Sequence, residues 1–339
     1  MAAPSLMASA IGLSRNDVGA PFPHIEDAEA LESLRDQVTA ALRETEDGPL
    51  WTVYDLSKLS SVEFTCLAER GLMTPSFARG SGFGRGFAVY GDGEASLEIN
   101  GIDHLQLLGY RDGEHLSELW SILNVLDDRL ETAVNYAFDP RWGYLTARPS
   151  HAGTGMRVFA TVHVPALMLT GRFAALGLEL LGQGFGIAPL WSGAGGLLQI
   201  SNLTLQGKPE EEILQQVNEI SKGIVEKERS VRKMLYRENP LQVKDHIGRA
   251  LGVLQHAWSV TFAEAVSLVS AAQVGMDVGI VEAPGLFARN TFDFLRRLQP
   301  AHLMIEKMDS RSGCLESPEI DEVRARVLRN TFAGASVRS

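Results

Sequence analysis

The feature that most constrains this chain is a long amphipathic run that stops at Asn239-Pro240. It opens with Pro209-Glu210-Glu211-Glu212. A proline followed by acids suits the first turn of a helix, where the missing amide costs nothing and the dipole favours negative charge. Ile213, Val217, Ile220 and Ile224 then recur at three- and four-residue spacing, so the expected helix turns one apolar face to a core. Arg237-Glu238-Asn239-Pro240 ends it, because proline has no amide hydrogen and biases the preceding residue out of the helical region. Upstream, strand and helix patterns are mixed. Downstream, strand signals are sparse and helices are expected. The 339 residues are enough for two cores, and the expected division is an α+β domain over 1–240 and a smaller helical domain over 241–339.

Within the first part, Leu31, Leu34, Val38 and Leu42 form one helical stripe. Leu116, Leu119, Leu123, Leu126, Leu130 and Val134 form a second. Phe87 to Tyr90 and Ala95 to Ile99 flank Gly91-Asp92-Gly93, which reads as a hairpin with glycine in the turn. Asp103 to Leu108 is a third expected strand. Val158, Ala160, Val162 and Val164 alternate with Phe159, Thr161 and His163, the pattern of a half-buried strand.

Charge and cysteine usage narrow the function classes. A net charge of −11 argues against nucleic acid as the main partner, since phosphate backbones need a cationic footprint. Two distant cysteines, Cys66 and Cys314, offer neither a zinc pair nor a disulfide framework, and suit a reducing cytoplasm. The apolar residues 1–12 lack a basic lead-in, so a secretory signal is not expected. Val162 to Gly182 is interrupted by His163, Pro165, Arg172 and Glu179, short of a membrane span. The eight histidines show no metal-ligand spacing, so no metal site is expected.

Local motifs are individually weak. Gly80 to Gly86 lacks the Lys-Ser or Lys-Thr of a phosphate loop and reads as a mobile loop. His151-Ala152-Gly153-Thr154-Gly155 could present backbone amides to an anion, or simply be a turn. Asp127-Asp128, on a leucine-striped helix, reads as a solvated face.

Taken in order, however, Asp103-His104-Leu105, Asn135 to Asp139, Gly143 to Thr146, Pro149 with Gly153 to Gly155, Arg157, Val162 to Leu167 and Gln199 to Asn202 make a specific series. Gly252 to Leu254, Ala263 to Ala265, Gly275 to Asp277, Gly279-Ile280 and Gln299 to Leu303 extend it. The series resembles the ATP:guanido phosphotransferases in their bacterial protein-arginine-kinase branch, over nearly the whole chain. The resemblance implies a guanido-kinase catalytic fold, an antiparallel sheet flanked by helices, followed by an all-helical domain that dimerises.

It also implies a chemistry: transfer of the γ-phosphate of ATP to a guanidinium nitrogen, aided by two carboxylates and a set of phosphate-binding arginines. Carried over position by position, most of these groups are missing. The first carboxylate position holds Ile102 and the second Pro189. Of five ATP-arginine positions, four hold Ala10, Gly12, Gln106 and Gly184, and only Arg157 matches. Arg15 survives in the N-terminal signature, a histidine position holds Gly71, and the reactive-cysteine position holds Arg148. A charge-assisted arginine–phosphate contact contributes roughly 1.5–3 kcal/mol, so four losses remove nominally about 6–12. Micromolar affinity is only about 8 kcal/mol in total.

Three readings follow. The first is a pseudokinase, a binding or regulatory subunit whose partner is an active arginine-kinase paralogue, an unfoldase–protease system or arginine-phosphorylated proteins. No cofactor is expected for it; Mg-ATP belongs only to the second reading. That second reading is a protein arginine kinase with relocated groups, drawing on Glu98, Asp103 or Asp92 as acids and Arg148 or Arg15 as phosphate contacts. The third is a structural oligomer subunit. A homodimer is expected from the resemblance, as is a phosphoarginine-binding pair, Asp321 and Arg324, in Ile320-Asp321-Glu322-Val323-Arg324-Ala325.

Overall fold

The computed structural model describes residues 6–44, 47–203, 207–287, 290–308 and 317–338; Cys314 lies outside them. In chain order the strands are β1 (Leu6–Arg15), β2 (Trp51–Tyr54), β3 (Gly86–Tyr90), β4 (Ala95–Ile99), β5 (Leu105–Asp112), β6 (Phe138–Asp139), β7 (Gly143–Tyr144), β8 (Met156–His163), β9 (Phe185–Pro189), β10 (Leu197–Asn202), β11 (Val281–Glu282) and β12 (Ser336–Val337). The α-helices are α1 (Ala28–Glu44), α2 (Ser61–Glu69), α3 (Pro75–Arg79), α4 (Leu116–Glu131), α5 (Pro165–Leu169), α6 (Phe173–Gly182), α7 (Glu210–Glu238), α8 (Pro240–His256), α9 (Phe262–Asp277), α10 (Pro284–Phe287), α11 (Thr291–Arg297), α12 (Pro300–Met308) and α13 (Ser317–Phe332). The fold is an antiparallel sheet flanked by helices, followed by a largely helical C-terminal region. The main sheet has eight strands in the order β2-β3-β4-β5-β1-β8-β10-β9. Among the described residues no helix is long and apolar enough to cross a membrane.

Two compact units emerge from the packing. Among the described residues, one holds Ser9–Phe159 and Ser201–Asn218; the other holds Leu6–Ala8, Ala160–Ile200 and those from Glu219 on. This division falls within β1, β8, β10 and α7, whereas the sequence break at Pro240 separates α7 from α8.

In the Ser9–Phe159 unit the expected stripes are buried: Leu31, Leu34, Val38 and Leu42 on α1, and Leu116, Leu119, Leu123, Leu126 and Leu130 on α4. The β3–β4 hairpin closes with Tyr90 opposite Ala95. β4 then pairs with β5 so that Ile99 faces Leu105 and Glu98 faces Gln106. β5 starts at Leu105, two residues later than the sequence pattern suggests, because Asp103 and His104 are drawn into the preceding turn. One further reading is corrected. Asp127 is not solvated but buried, while Asp128 is exposed. Gly80–Gly86 is pinned at one end: Asn100 Nδ2 donates to the carbonyls of Gly84 and Leu31.

In the second unit α8 packs on α9, and α13 on α8. Ile247, Leu251 and Leu254 of α8, Val266 and Val269 of α9, and Leu328 and Phe332 of α13 are buried. β11 and β12 add a short antiparallel pair. The glycine-rich stretch after β9 is held by Trp191, which stacks on Phe292 at 5.2 Å and meets Phe262 edge-on at 5.2 Å. Gly196, at φ +70°, passes so close to Pro165 that a Cβ would lie 2.6 Å from its Cα, so only glycine fits.

The same unit contains a buried ionic network. Arg232 pairs with Glu228 at 2.6 Å and with Asp277, and also donates to the His163 carbonyl. Glu228 in turn accepts the amides of Ala166 and Leu167, at the start of α5, at 3.0 and 2.9 Å. His163 Nε2 contacts Ser270 Oγ at 2.7 Å. Burial, reinforced by Arg232, holds His163 well below the usual imidazole range, so it stays neutral. The His163-to-Leu167 motif is thus an anchoring device for the turn from β8 into α5.

Candidate functional site

The sites implied by the resemblance begin on β1, where alternation decides which side chains meet. Ala10, Gly12 and Ser14 share one face of the strand; Ile11, Leu13 and Arg15 share the other. On the first face, Gly12 lies against Gln106 of β5: a Cβ added at Gly12 would be 3.0 Å from Gln106 Nε2. Ser14 Oγ donates to Gln106 Oε1 at 2.7 Å. Two of the four positions that the resemblance implies for lost arginines are therefore neighbours. They are occupied by a hydrogen atom and by a neutral amide already bound to a hydroxyl.

Arg15 goes elsewhere. Its guanidinium is buried, pairs with Asp127 Oδ2 at 2.6 Å, and donates to the Ser14 and Thr154 carbonyls at 2.9 Å. Its Cζ lies 3.7 Å from the centre of the Tyr144 ring, and Tyr136 Oη donates to Asp127 Oδ1 at 3.1 Å. Gly155, at φ +64°, admits this packing, since a Cβ there would lie 2.6 Å from the Ser14 carbonyl oxygen and 2.7 Å from Arg15 Nη1. The geometry ties β1, α4 and the β6–β7 hairpin together through Arg15.

The loop between β4 and β5 carries the position that the resemblance implies for the first carboxylate. Ile102 is half-buried there. Asp103 is buried and accepts from Asn16 Nδ2 and the Ala147 amide, both at 2.7 Å, while Asn16 Oδ1 accepts the His104 amide at 2.8 Å. Asp103 thus holds the loop to β1 and to the segment after β7. Asp92 lies in the hairpin turn at the opposite end of β4. Gly71, at φ +79°, lies over the Tyr110 ring.

Glu98, at the end of β4, reaches this loop, its Oε2 3.8 Å from where a Gly101 Cβ would be. It is buried, with Thr74 donating to it through both amide and hydroxyl. Burial pushes its carboxyl from 4.5 up to about 7, against the opposing pull of Thr74 and Arg85. A carboxyl whose folded pKa is raised contributes stability that is complete below about pH 4.5 and lost as pH rises through about 7. The loss amounts to about 3 kcal/mol at 1.36 kcal/mol per unit. Glu98→Gln is therefore expected to be the more stable protein at pH 8, by up to that amount, with a flatter stability profile between pH 5 and 8 in urea titrations. Parallel profiles for the two proteins would contradict the assignment.

Further along, the amides of the His151-to-Gly155 turn are mostly spent. His151, Ala152 and Gly153 donate to the Arg148, Pro149 and Tyr144 carbonyls. What the turn presents is side chains. Arg157, half-buried on β8, has Nη1 3.0 Å from His151 Nε2 and donates through Nη2 to Ser201 Oγ at 3.0 Å. Ser201 lies in the Gln199-to-Asn202 motif, whose Asn202 fixes β8 by accepting the Val158 amide and donating to the Met156 carbonyl. Arg148 is exposed. The sequence does not single out Ser14 or Ser201, and it marks Asp127 as a solvated face; their roles depend on tertiary neighbours, which spacing alone does not give.

In the other unit, Pro189 is exposed at the end of β9 and Gly184 precedes that strand at φ +84°. Arg324 is 1% exposed. It donates to the Leu298 and Val260 carbonyls, both at 2.8 Å, and pairs with Asp321. Its donors are thus turned toward the helical core. Among the described residues there is no group of three or more His, Cys, Asp or Glu side chains arranged to hold a metal ion.

Comparison with known proteins places the chain. Residues 33–231 match the ATP:guanido phosphotransferase C-terminal catalytic domain, and residues 240–339 the C-terminal domain of the protein-arginine kinase McsB. A protein-arginine kinase of Halothermothrix orenii is 32% identical over 332 residues, 96% of this chain and 92% of its own length. Another, from Moorella thermoacetica, is 32% identical over 97% of this chain and 94% of its own. The chain belongs to the ATP:guanido phosphotransferase family, in its protein-arginine-kinase branch. The fold is shared more widely. A lombricine kinase superposes with TM-score 0.60 at 19% identity, covering 67% of this chain and 66% of that one. The duplicated taurocyamine kinase of Schistosoma mansoni gives 0.61 at 18%, covering 73% and 37%.

Proposed function

We propose that this chain is a catalytically impaired member of the branch, retained as a binding or regulatory subunit. One observation carries the reading: Gly12 and Gln106, both arginine positions by resemblance, abut one another and form a neutral, hydrogen-bonded patch with Ser14. A triphosphate there would meet no compensating charge, and an arginine restored at residue 12 would have to displace Gln106. Ile102 adds no carboxylate to deprotonate a guanidinium, whose proton is held almost irreversibly. Arginine-phosphorylated proteins, an active paralogue or an unfoldase–protease system are the partners the resemblance suggests.

A second reading keeps the activity named for the relatives, phosphorylation of protein arginines. It draws on identity of 30–32% over nearly the full length and on the Glu98 carboxyl beside Gly101. One assay separates the two. Purified protein incubated with Mg-ATP and an unfolded, arginine-containing protein is expected to form no phosphoarginine above background by mass spectrometry. Phosphoarginine whose formation disappears in Arg157→Ala and in Glu98→Gln would establish the second reading instead.

A further inference from the structure

Arg157, His151 and Arg148 remain once the emptied positions are accounted for, and their arrangement asks for a ligand. Arg157 has a buried Nε with no hydrogen-bond partner, a donor left unsatisfied in a place where water is excluded. Its other nitrogens touch only the neutral groups His151 Nε2 and Ser201 Oγ. Among the described residues neither Arg157 nor Arg148 has a carboxylate within ion-pair distance. Arg148 lies one turn before His151, its carbonyl accepting the His151 amide at 2.8 Å, and its charge acts on both neighbours. After burial, which is the larger cause, Arg148 lowers the proton affinity of Arg157; burial, Arg157 and then Arg148 do the same for His151. Asp103 is the one acid acting in the opposite sense on His151, and its Oδ1 is already occupied by Asn16 and Ala147. Two guanidinium groups without a paired carboxylate, beside an imidazole and a serine hydroxyl, make an unfavourable arrangement that an anion would relieve.

We infer that Arg148, His151, Arg157 and Ser201 form a binding site for a small tetrahedral oxyanion of the phosphate and sulfate class. Arg157 stands at a position the family uses for nucleotide phosphate; the contribution of Arg148 and His151 belongs to this chain's own residues, and the site is expected under either functional reading. Two guanidinium groups match the several oxygens and the double charge of such an anion better than the single carboxylate of a side chain would. Ser201 Oγ accepts from Arg157, which leaves its own proton to donate. His151 in its neutral form accepts from Arg157; protonated, it becomes a third cationic donor. The anion and the proton therefore favour each other.

Titration calorimetry on the full-length protein tests this, with sulfate as the probe because its charge does not change over the range used. Wild type is expected to bind sulfate more than about threefold more tightly near pH 6 than near pH 8, within the range where imidazole titrates. Arg148→Ala, a change at an exposed side chain that leaves the core intact, is expected to weaken binding about tenfold. His151→Phe is expected to abolish the pH dependence. Phosphate should compete with sulfate, and ADP should bind no more tightly than phosphate. Absence of sulfate binding by wild type, or equal binding by Arg148→Ala, would overturn the site. Unchanged pH dependence in His151→Phe would remove His151 from it, and ADP more than about tenfold tighter than phosphate would replace the oxyanion with a nucleotide.

Discussion

Glu228→Ala is expected to destabilise the protein by about 3–5 kcal/mol, the cost of breaking a buried ion pair from one side. Glu228 is fully buried, and its carboxylate holds Arg232 while accepting the two amides that begin α5. Removing it leaves a guanidinium only 5% exposed with Asp277 as its remaining acid, and strands two buried amides. Glu228→Gln keeps an acceptor for the amides and should recover part of the loss. Urea denaturation followed by circular dichroism measures both. A change within about 1 kcal/mol for the alanine variant would show that the network relaxes onto water or other partners, and would deny Glu228 its anchoring role.

Arg324→Ala is expected to cost about 3 kcal/mol, somewhat less because Asp321 can turn to solvent. The side chain is buried to 1% exposure and satisfies the carbonyls of Leu298 and Val260, which follow α11 and precede α9 respectively. Truncation leaves both carbonyls without this donor and opens a cavity the size of a long side chain. Arg324→Met, which fills the volume without the donors, should recover the packing share alone. A stability equal to wild type, together with a specific loss of phosphoarginine affinity, would instead assign Arg324 to ligand recognition at the surface.

Much of the architecture was legible in the sequence because it rests on periodicity. The stripes of α1 and α4, the glycine-turned hairpin and the helix broken before Pro240 each advertise themselves over ten or more residues, and the burial follows them. β1 was not legible: Leu6–Arg15 is buried along most of its length, so no alternation marks it as a strand. Arg15 shows the corresponding limit for the site. Its motif position suggests a surviving phosphate contact, but strand alternation turns it to the face opposite Ala10 and Gly12, onto Asp127. Asp127 in turn reads as surface because it sits among polar residues of α4, and only the tertiary pairing explains why a charge is buried there. Substituted positions such as Ile102 and Gln106 were visible as departures from a pattern. That Gly12 and Gln106 abut, closed by Ser14, required the β1–β5 neighbourhood.

The reading of this chain as a family member that has lost its nucleotide-phosphate contacts is tested most directly by calorimetric titration of the purified protein with Mg-ATP. On this reading, with four of the five arginine positions that the resemblance implies replaced and Arg157 facing neutral partners, the expected dissociation constant is no tighter than about 1 mM, near 4 kcal/mol of binding free energy. A dissociation constant in the micromolar range, weakened by Arg157→Ala, would contradict the account.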